Sequence, residues 1–291
     1  MFLTILVGNF FIKGIMNYCI SKDKIEIFDK SQFNIAHILE CGQIFTYEKQ
    51  ENNFVVFSQD KKAILVEEDD KIVVITKDTE YFENFFDLKT DYKIIKETLA
   101  SKFEFLKPMI IYGSGIRILK QSKLETIIGF IISANNNIGR IKKSMEHIRK
   151  NLGEKIEDYY TFPLIEKLSQ YDENFFLEAG LGYRAKQIVK ALSQLKCVDL
   201  DSLQTLKTNE LKNELMKIQG IGSKVADCVM LFAYGRQDVF PVDTWIEKTY
   251  REYFDSKCDN REFMRKRLIE KFGSLSGYAQ QYMFYYKRTS K

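Results

Sequence analysis

Two hydrophobic periods divide the chain, and this change of period is the feature that most restricts its fold. Between residues 24 and 76, apolar residues recur at every second position, and many of them are β-branched or aromatic. This pattern is typical of half-buried strands. Polar clusters at 50–53, 59–62 and 68–71 leave only short connections, which favour antiparallel neighbours. We predict strands at 24–28, 44–48, 54–58, 63–67 and 72–76.

From about Met109 onward the spacing becomes helical, with one apolar face from Leu124 to Ile132 and another from Ile138 to Ile148. The sequence therefore predicts an α+β protein. An N-terminal antiparallel sheet domain with helices occupies residues 1–108, and a larger all-helical domain occupies residues 109–291. Further helices are predicted at 164–169, 184–195, 208–217, 223–233, 243–254 and 260–272, and after Ser276.

The composition is that of a folded, globular chain. Of its 291 residues, 29% are charged and 45% hydrophobic, which excludes a disordered protein. The net charge of +4 is unevenly distributed, because residues 1–107 sum to −4 and residues 108–291 to +8. A basic C-terminal part suits a polyanionic partner, although many proteins without such a partner carry similar charge.

The five cysteines are odd in number and widely spaced, and no CxxC pair occurs. This pattern argues against a disulfide framework, a zinc site and an iron–sulfur cluster, so we predict no metal and a reducing cytoplasm. Residues 1–15 are apolar but too short to span a bilayer, and their charge order is wrong for a secretory signal. We favour a start at Met16, with residues 1–15 as an over-extended start.

The most informative segment is a turn between two predicted helices, formed by Gln219, Gly220, Ile221 and Gly222. Two glycines two residues apart allow a tight turn and bring backbone N–H groups close to a ligand. Together with the following helix N-terminus they suit one DNA phosphate. An ordinary helix-to-helix turn has the same pattern.

The next informative segment is Val239-Phe-Pro-Val-Asp243, which ends at a predicted helix start. Asp243 suits an N-cap, and it also suits a carboxylate that faces Lys224 of the preceding hairpin. Lys224 taken alone could equally be an ordinary solvated lysine.

The span from Gly220 to Thr244 resembles the glycosylase form of the helix-hairpin-helix, in which a Gly-[Ile/Val]-Gly-x-Lys turn precedes Val-Pro-Val-Asp. This places a helix-hairpin-helix at about 208–233. Four other segments, in matching order, resemble the 8-oxoguanine DNA glycosylase family between about residues 33 and 284. They are Cys41-Gly-Gln-Ile-Phe45, Asn135-Asn-Asn-Ile-Gly-Arg140, Gly182-Tyr-Arg-Ala-Lys186 and Ala279-Gln-Gln-Tyr-Met-Phe284.

The resemblance implies a bifunctional enzyme that flips 8-oxoguanine out of duplex DNA, excises it and cleaves the strand by β-elimination. Lys224 would attack the sugar anomeric carbon, and Asp243 would stabilise the developing positive charge. No cofactor would be required.

The resemblance also implies which residues contact DNA. The carbonyl of Gly42 would accept from N7–H of the lesion, and Gln280 would read its Watson–Crick edge. The remaining residues would lie around the flipped base or the gap that it leaves. Phe284 and Cys228 would sandwich the base, or pack in the core; Asn135 and Tyr183 would fill the gap; Arg140 and Arg184 would donate to the opposing cytosine, or contact phosphates.

The chain departs from animal members of the family at Trp245, where those members place a histidine, and after Phe284, where Tyr285-Tyr-Lys287 differs from their pattern. These departures leave open the packing around the base and the strength of the lyase step. Two alternatives to the main prediction are a related glycosylase for another damaged base and a non-catalytic helix-hairpin-helix DNA-binding protein. We expect a monomer that acts on damaged double-stranded DNA at the nucleoid, in the cytoplasm of a bacterium or archaeon, without a membrane.

Overall fold

The computed structural model describes residues 16–290 and the backbone of residues 11–13, so the prediction about residues 1–15 otherwise lies outside the described residues. The strands are β1 Phe11–Lys13, β2 Tyr18–Ser21, β3 Lys24–Ile27, β4 Tyr47–Lys49, β5 Asn53–Ser58, β6 Lys61–Glu67, β7 Ile72–Ile75, β8 Lys155–Ile156 and β9 Tyr159–Tyr160. The helices are α1 Ile35–Leu39, α2 Thr79–Phe85, α3 Tyr92–Lys102, α4 Lys107–Tyr112, α5 Lys123–Ser133, α6 Ile138–Leu152, α7 Ile165–Leu168, α8 Glu173–Glu178, α9 Arg184–Leu195, α10 Thr208–Met216, α11 Ser223–Phe232, α12 Thr244–Tyr253, α13 Arg261–Phe272 and α14 Ser276–Thr289.

Seven of the described strands form one antiparallel sheet in the order β1-β2-β3-β7-β6-β5-β4. Its register places Ile25 opposite Val74 and Val74 opposite Leu65, so these side chains share one face. That face is buried against α1 and α2, where Ile38 and Phe82 are fully buried. The predicted α+β class is confirmed. The division at residue 108 stays a prediction.

One predicted strand, 44–48, is displaced to Tyr47–Lys49. The cause is Gln43, which is fully buried and fixes the preceding segment through its side chain instead of a strand ladder. Its Nε2 donates to the carbonyls of Ile38 and Arg117 at 2.9 and 2.8 Å, and its Oε1 accepts from the Leu119 N–H at 2.9 Å. This segment carries Gly42, so the same contacts hold a candidate lesion-reading residue in place.

Tyr18–Ser21 forms a strand that the sequence analysis did not predict. It pairs with Lys24–Ile27 through a two-residue turn, with Ser21 opposite Lys24. The alternation in this segment is only four residues long, which is too short to stand out from its surroundings. The short β8–β9 hairpin was missed for the same reason.

The helical part is built around α5 and α11, two helices that are buried on almost every side. Ile127, Ile128 and Ile131 on α5, and Val229 and Met230 on α11, have no exposed surface. A helix buried on every side belongs in the middle of a core, which explains why these two segments are so continuously apolar. The predicted helix at 184–195 matches α9 without change.

The chain passes from the sheet to the helices at two consecutive residues. The Lys120 N–H donates to the carbonyl of Phe85 beside the sheet at 2.9 Å, and the Gln121 N–H donates to that of Phe232 at the end of α11 at 2.8 Å. Nearby, Glu125 of α5 accepts from the Gln59 N–H of the sheet at 3.2 Å. The sheet is therefore attached to the helices through the start of α5.

Candidate active site and nucleic-acid interface

The hairpin between α10 and α11 presents free backbone donors. Gly220 has φ +86°, a conformation that favours glycine, and a methyl group there would lie 3.0 Å from Cγ2 of Ile131. Gly222 caps α11 and is exposed, and a methyl group there would meet no atom within 4 Å. The N–H groups of both glycines donate to no described residue. The turn thus has the open amides that a phosphate oxygen needs.

The backbone N–H groups of the other two residues of the turn, Gln219 and Ile221, already donate to protein acceptors. The Gln219 N–H donates to Oε1 of Gln194 at 2.7 Å, and the Ile221 N–H donates to the carbonyl of Ile218 at 3.1 Å. The Ile221 side chain is buried in the core. Of the four predicted hairpin residues, only the two glycines have free amides.

Lys224, in the first turn of α11, lies beside Asp243 and Cys228. Its Nζ is 5.4 Å from the ring centroid of Phe130. Burial raises the pKa of Cys228 to about 11, and the charge of Lys224 opposes that rise. The thiol is therefore neutral at physiological pH, so it serves as a small apolar wall here instead of a nucleophile.

Asp243 is the N-cap of α12, as its position predicts. Its Oδ1 accepts from the N–H groups of Trp245 and Ile246 at 3.0 and 2.9 Å. Burial raises the pKa of Asp243, while the Ile246 N–H, the Lys224 charge and the Trp245 N–H lower it. The capping bonds fix the carboxylate, and Lys224 lies close enough to affect it. The capping role and the proximity to lysine therefore coexist.

A buried ion cluster behind Lys224 was not found from the sequence. Asp227 of α11 has no exposed surface and accepts from Nε and Nη2 of Arg265 at 2.5 and 3.1 Å. Nζ of Lys212 lies 3.1 Å from the same carboxylate and donates to Oγ of Ser223 at 2.8 Å. The sequence does contain one indication of this cluster, because Asp227 is the single acidic residue in the apolar run of α11. A charge buried there needs partners of opposite sign.

Gly42 and Phe284 are brought together across 242 residues of sequence. Gly42 has φ +83°, and a methyl group there would lie 3.2 Å from Cε1 of Phe284 and 2.8 Å from Nη1 of Arg288. The positive φ therefore favours glycine, and a methyl group there would also crowd the Phe284 ring. Arg288, which follows Phe284 by one helical turn, is not among the residues predicted from the sequence.

Gln280 is buried on α14, and its amide is engaged at both ends. Its Nε2 donates to the carbonyl of Pro241 at 3.3 Å, and its Oε1 accepts from Nε2 of Gln281 at 2.8 Å. The contact with Pro241 places Gln280 two residues from Asp243. A base that bonds to Gln280 must exchange these partners for its own.

The loop between α5 and α6 exposes two of its three asparagines, Asn135 and Asn137, and of these two only Asn135 has a side chain that is not already used as a cap. Asn137 caps α6 by accepting from the Arg140 N–H at 3.0 Å, and Asn136 donates to the carbonyl of Ile132 at 3.1 Å. Asn135 is exposed and has φ +49°, a left-handed conformation that asparagine tolerates better than most residues. The exposed tip of the loop is thus the predicted gap-filling residue.

The two predicted cytosine readers differ sharply. Arg184 is buried, and its Nε and Nη2 donate to the carbonyls of Ala134 and Asn135 at 2.6 and 2.5 Å. Its guanidinium also stacks on the 59% exposed ring of Tyr183, 4.4 Å from the centroid. Arg140 is exposed, and its side chain has no partner among the described residues. Arg184 therefore stabilises the loop between α5 and α6, whereas the Arg140 side chain is available for a contact with DNA.

The residues that depart from animal members have their own packing. The backbone N–H of Trp245 donates to Oδ1 of Asp243, and Nζ of Lys248 lies 4.5 Å from the Trp245 ring centroid. Tyr285 is buried, with its ring centroid 5.4 Å from that of His37.

Among the described residues, no group of three or more His, Cys, Asp or Glu side chains is arranged to hold a metal ion. None of the helices in the described part of the chain has both the length and the apolar character needed to cross a bilayer. A cavity of about 440 Å³ lies between β4 and α6, lined by residues that include Tyr47, Lys142 and Arg149. None of the candidate catalytic residues lines it.

Comparison with protein families places the hairpin and its carboxylate in a known class. Residues 128–273 match the model of HhH-GPD superfamily base excision DNA repair proteins, and residues 26–127 match that of the 8-oxoguanine DNA glycosylase N-terminal domain. The fold and site are those of a helix-hairpin-helix base-excision repair protein. More narrowly, the chain belongs to the 8-oxoguanine DNA glycosylase family.

Solved structures and a curated relative agree with this assignment. The chain is 36% identical to MBOgg1 bound to a low-affinity DNA ligand, over 94% of this chain and 98% of that one, with a TM-score of 0.88. It is 35% identical to the 8-oxoguanine glycosylase/lyase of Clostridium acetobutylicum bound to duplex DNA with cytosine opposite 8-oxoguanine, over 97% and 99% of the chains, with a TM-score of 0.88. N-glycosylase/DNA lyase OGG1 of Arabidopsis thaliana is 31% identical over 58% of this chain but only 51% of its own length.

Proposed function

We propose that this protein excises 8-oxoguanine from duplex DNA and then cleaves the strand, with Lys224 as nucleophile and Asp243 as its carboxylate partner. The observation that carries the proposal is the position of Lys224 at the start of α11, beside a carboxylate fixed by two backbone donors. Phosphate binding alone needs neither side chain, so their joint presence argues for chemistry.

In the proposed reaction, the unprotonated Nζ of Lys224 bonds to C1′ of the flipped nucleotide as the C1′–N9 bond breaks. The bonding pair leaves with the base, which takes up a proton. An amine proton then passes to O4′ as the C1′–O4′ bond opens, and the nitrogen lone pair forms the C1′=N bond of a protonated Schiff base. Removal of a C2′ proton then expels the 3′ phosphate. Asp243 stabilises the positive charge that develops at C1′ in the first step.

The DNA would be held by the parts of the surface described above. The open amides of Gly220 and Gly222 would bind a phosphate, Asn135 and Tyr183 would fill the gap in the stack, and Arg140 would contact the opposing base. Gly42, Gln280, Phe284 and Cys228 would form the base pocket. Arg184 would join these contacts only if DNA displaces its present carbonyl partners.

We further propose that the protein works as a cytoplasmic monomer and needs neither metal nor organic cofactor. The chemistry above uses only an amine, a carboxylate and the DNA itself. Full activity in excess chelating agent would support the absence of a metal requirement, whereas activity that is lost there and restored by an added divalent ion would contradict it.

Borohydride trapping tests the central proposal. A duplex with 8-oxoguanine opposite cytosine should give a covalent adduct with the native chain and none with Lys224→Gln, because reduction fixes only the Schiff base. Lys217→Gln is the matched control, since Lys217 lies near the hairpin but is paired with Glu214 on the surface. An undiminished adduct in Lys224→Gln would remove Lys224 from the mechanism.

A further inference from the structure

Arg288 holds an unsatisfied donor at the edge of the proposed base pocket. It lies on α14 one turn after Phe284, and its guanidinium carbon is 5.1 Å from the centroid of that ring. Its Nη2 donates to the carbonyl of Glu40. Its Nη1 is buried and has no hydrogen-bond partner.

The guanidinium is fixed against the segment that carries Gly42. A methyl group on Gly42 would lie 2.8 Å from Nη1, so the free nitrogen lies beside the space that a side chain at this position would occupy. The bond to Glu40 anchors Nη2 on the same segment, and the Phe284 ring supports the guanidinium plane. Arg288 therefore has one nitrogen anchored and the other held beside Gly42.

A buried donor without an acceptor is costly, and a ligand that supplies an acceptor removes that cost. Arginine only donates, so the ligand group must be an acceptor. 8-Oxoguanine has N7–H and the carbonyl oxygen O8 side by side. Guanine has an N7 acceptor and C8–H instead, which match neither an acceptor at N7 nor a donor at position 8.

We infer that Arg288 is a specificity-determining residue that donates from Nη1 to O8 of the lesion, next to the contact between the Gly42 carbonyl and N7–H. The inference rests on the base pocket of the proposed function. It assigns to this chain a two-point reading of the oxidised edge, with one acceptor and one donor on adjacent positions. Its ligand class is purines that carry a carbonyl at C8.

The test compares dissociation constants in a Lys224→Gln background, for duplexes with 8-oxoguanine or guanine opposite cytosine. Arg288→Met keeps an unbranched chain against Phe284 but removes the donors. The preference for 8-oxoguanine over guanine should fall about tenfold or more, since the lost bond involves a charged donor. Arg288→Lys keeps the charge but has one donor nitrogen in place of the two that face Glu40 and the lesion, so it should give an intermediate preference.

The control is Arg267→Met. Arg267 also follows a phenylalanine, Phe263, by one turn, with 5.9 Å between guanidinium carbon and ring centroid, but it is exposed on α13. It should lower binding of both duplexes equally through lost charge.

Three other results would each overturn the inference. An unchanged preference in Arg288→Met, at an unchanged melting temperature, would exclude a lesion-reading role. Tighter binding of both duplexes would mean that Arg288 merely blocks the pocket. If the Lys224→Gln protein with native Arg288 shows no preference for 8-oxoguanine, the proposed function itself fails.

Discussion

Arg265 of α13 forms a two-pronged ion pair with Asp227 of α11, with Nε–Oδ2 and Nη2–Oδ1 distances of 2.5 and 3.1 Å. Asp227 lies three residues after Lys224 and immediately before Cys228. Because α11 is a helix, the pair fixes its rotation and with it the direction of the Lys224 side chain. A structural ion pair thus fixes the helix that carries the proposed nucleophile, Lys224.

Asp227→Asn should therefore destabilise the protein strongly. An amide has one acceptor oxygen, and its NH2 group would face Arg265 or Lys212, leaving buried positive charge unpaired. We expect a loss of about 3–5 kcal/mol in the free energy of unfolding, measured by urea denaturation. Asp201→Asn is the control, because Asp201 pairs with Lys123 at a 93% exposed site; it should change stability by less than about 0.5 kcal/mol. Equal losses in both variants would contradict the role of the cluster.

Glu125 should make stability fall as pH rises. Burial raises the pKa of Glu125 from 4.5 to about 7. Because the folded pKa is higher, the stabilising effect is fully present below about pH 4.5 and is lost as pH rises through 7, by about 3 kcal/mol. Glu125→Gln should remove this dependence and be the more stable form at pH 8. Urea denaturation between pH 4 and 8 measures it, with the exposed Glu178→Gln as control. A native pH dependence that persists in Glu125→Gln would contradict this assignment.

Asp243→Asn should separate capping from catalysis. Asparagine caps a helix about as well as aspartate, so the melting temperature should change little, whereas the single-turnover excision rate should fall at least about 100-fold. Asp172→Asn on α8 is the matched control, because Asp172 accepts from two backbone N–H groups in the same way but lies in a different helix. A rate loss accounted for by lower stability alone would reduce Asp243 to an N-cap.

Alanine should affect different properties at Arg140 and Arg184: the preference for the opposing base at Arg140, and the stability of the protein at Arg184. Arg140→Ala should leave stability unchanged and flatten an otherwise tenfold or greater preference for cytosine over adenine opposite the lesion, measured in single-turnover rates. Arg184→Ala should cost about 3 kcal/mol of stability, because the carbonyls of Ala134 and Asn135 lose charged donors. Equal native rates opposite cytosine and adenine would contradict the role of Arg140. If Arg140 contacts only phosphate, Arg140→Ala will weaken every duplex and keep the preference.

Sequence patterns predicted the helices and strands in which buried apolar residues recur at a regular spacing. The helix at 184–195 followed from apolar residues such as Ile188 and Leu192 on one face, and the strands from alternation that matches the register of Ile25 with Val74. Asp243 was predicted as an N-cap because a capping carboxylate contacts residues only two and three positions away. Local rules work where the decisive partners are local.

The remaining features depend on partners far away in the sequence. Gln43 bonds to Arg117 and Leu119, which no period relates to it, and this displaced a predicted strand. The distance between Asp227 and Arg265 is 38 residues, and Arg288 reaches Glu40 across 248. The family resemblance predicted Arg184 as a DNA contact, but it contained no information about the carbonyls of Ala134 and Asn135 to which the guanidinium donates.

The crossing at Lys120 and Gln121 has a consequence for recombination between homologues. The two matched segments meet between residues 127 and 128, inside the buried helix α5, so an exchange there would join half-helices from different cores. An exchange at 120/121 would instead leave both hydrogen bonds, Lys120 to Phe85 and Gln121 to Phe232, between residues from the same parent. Chimeras joined at 120/121 should melt in a single transition, whereas those joined at 127/128 should accumulate as insoluble protein.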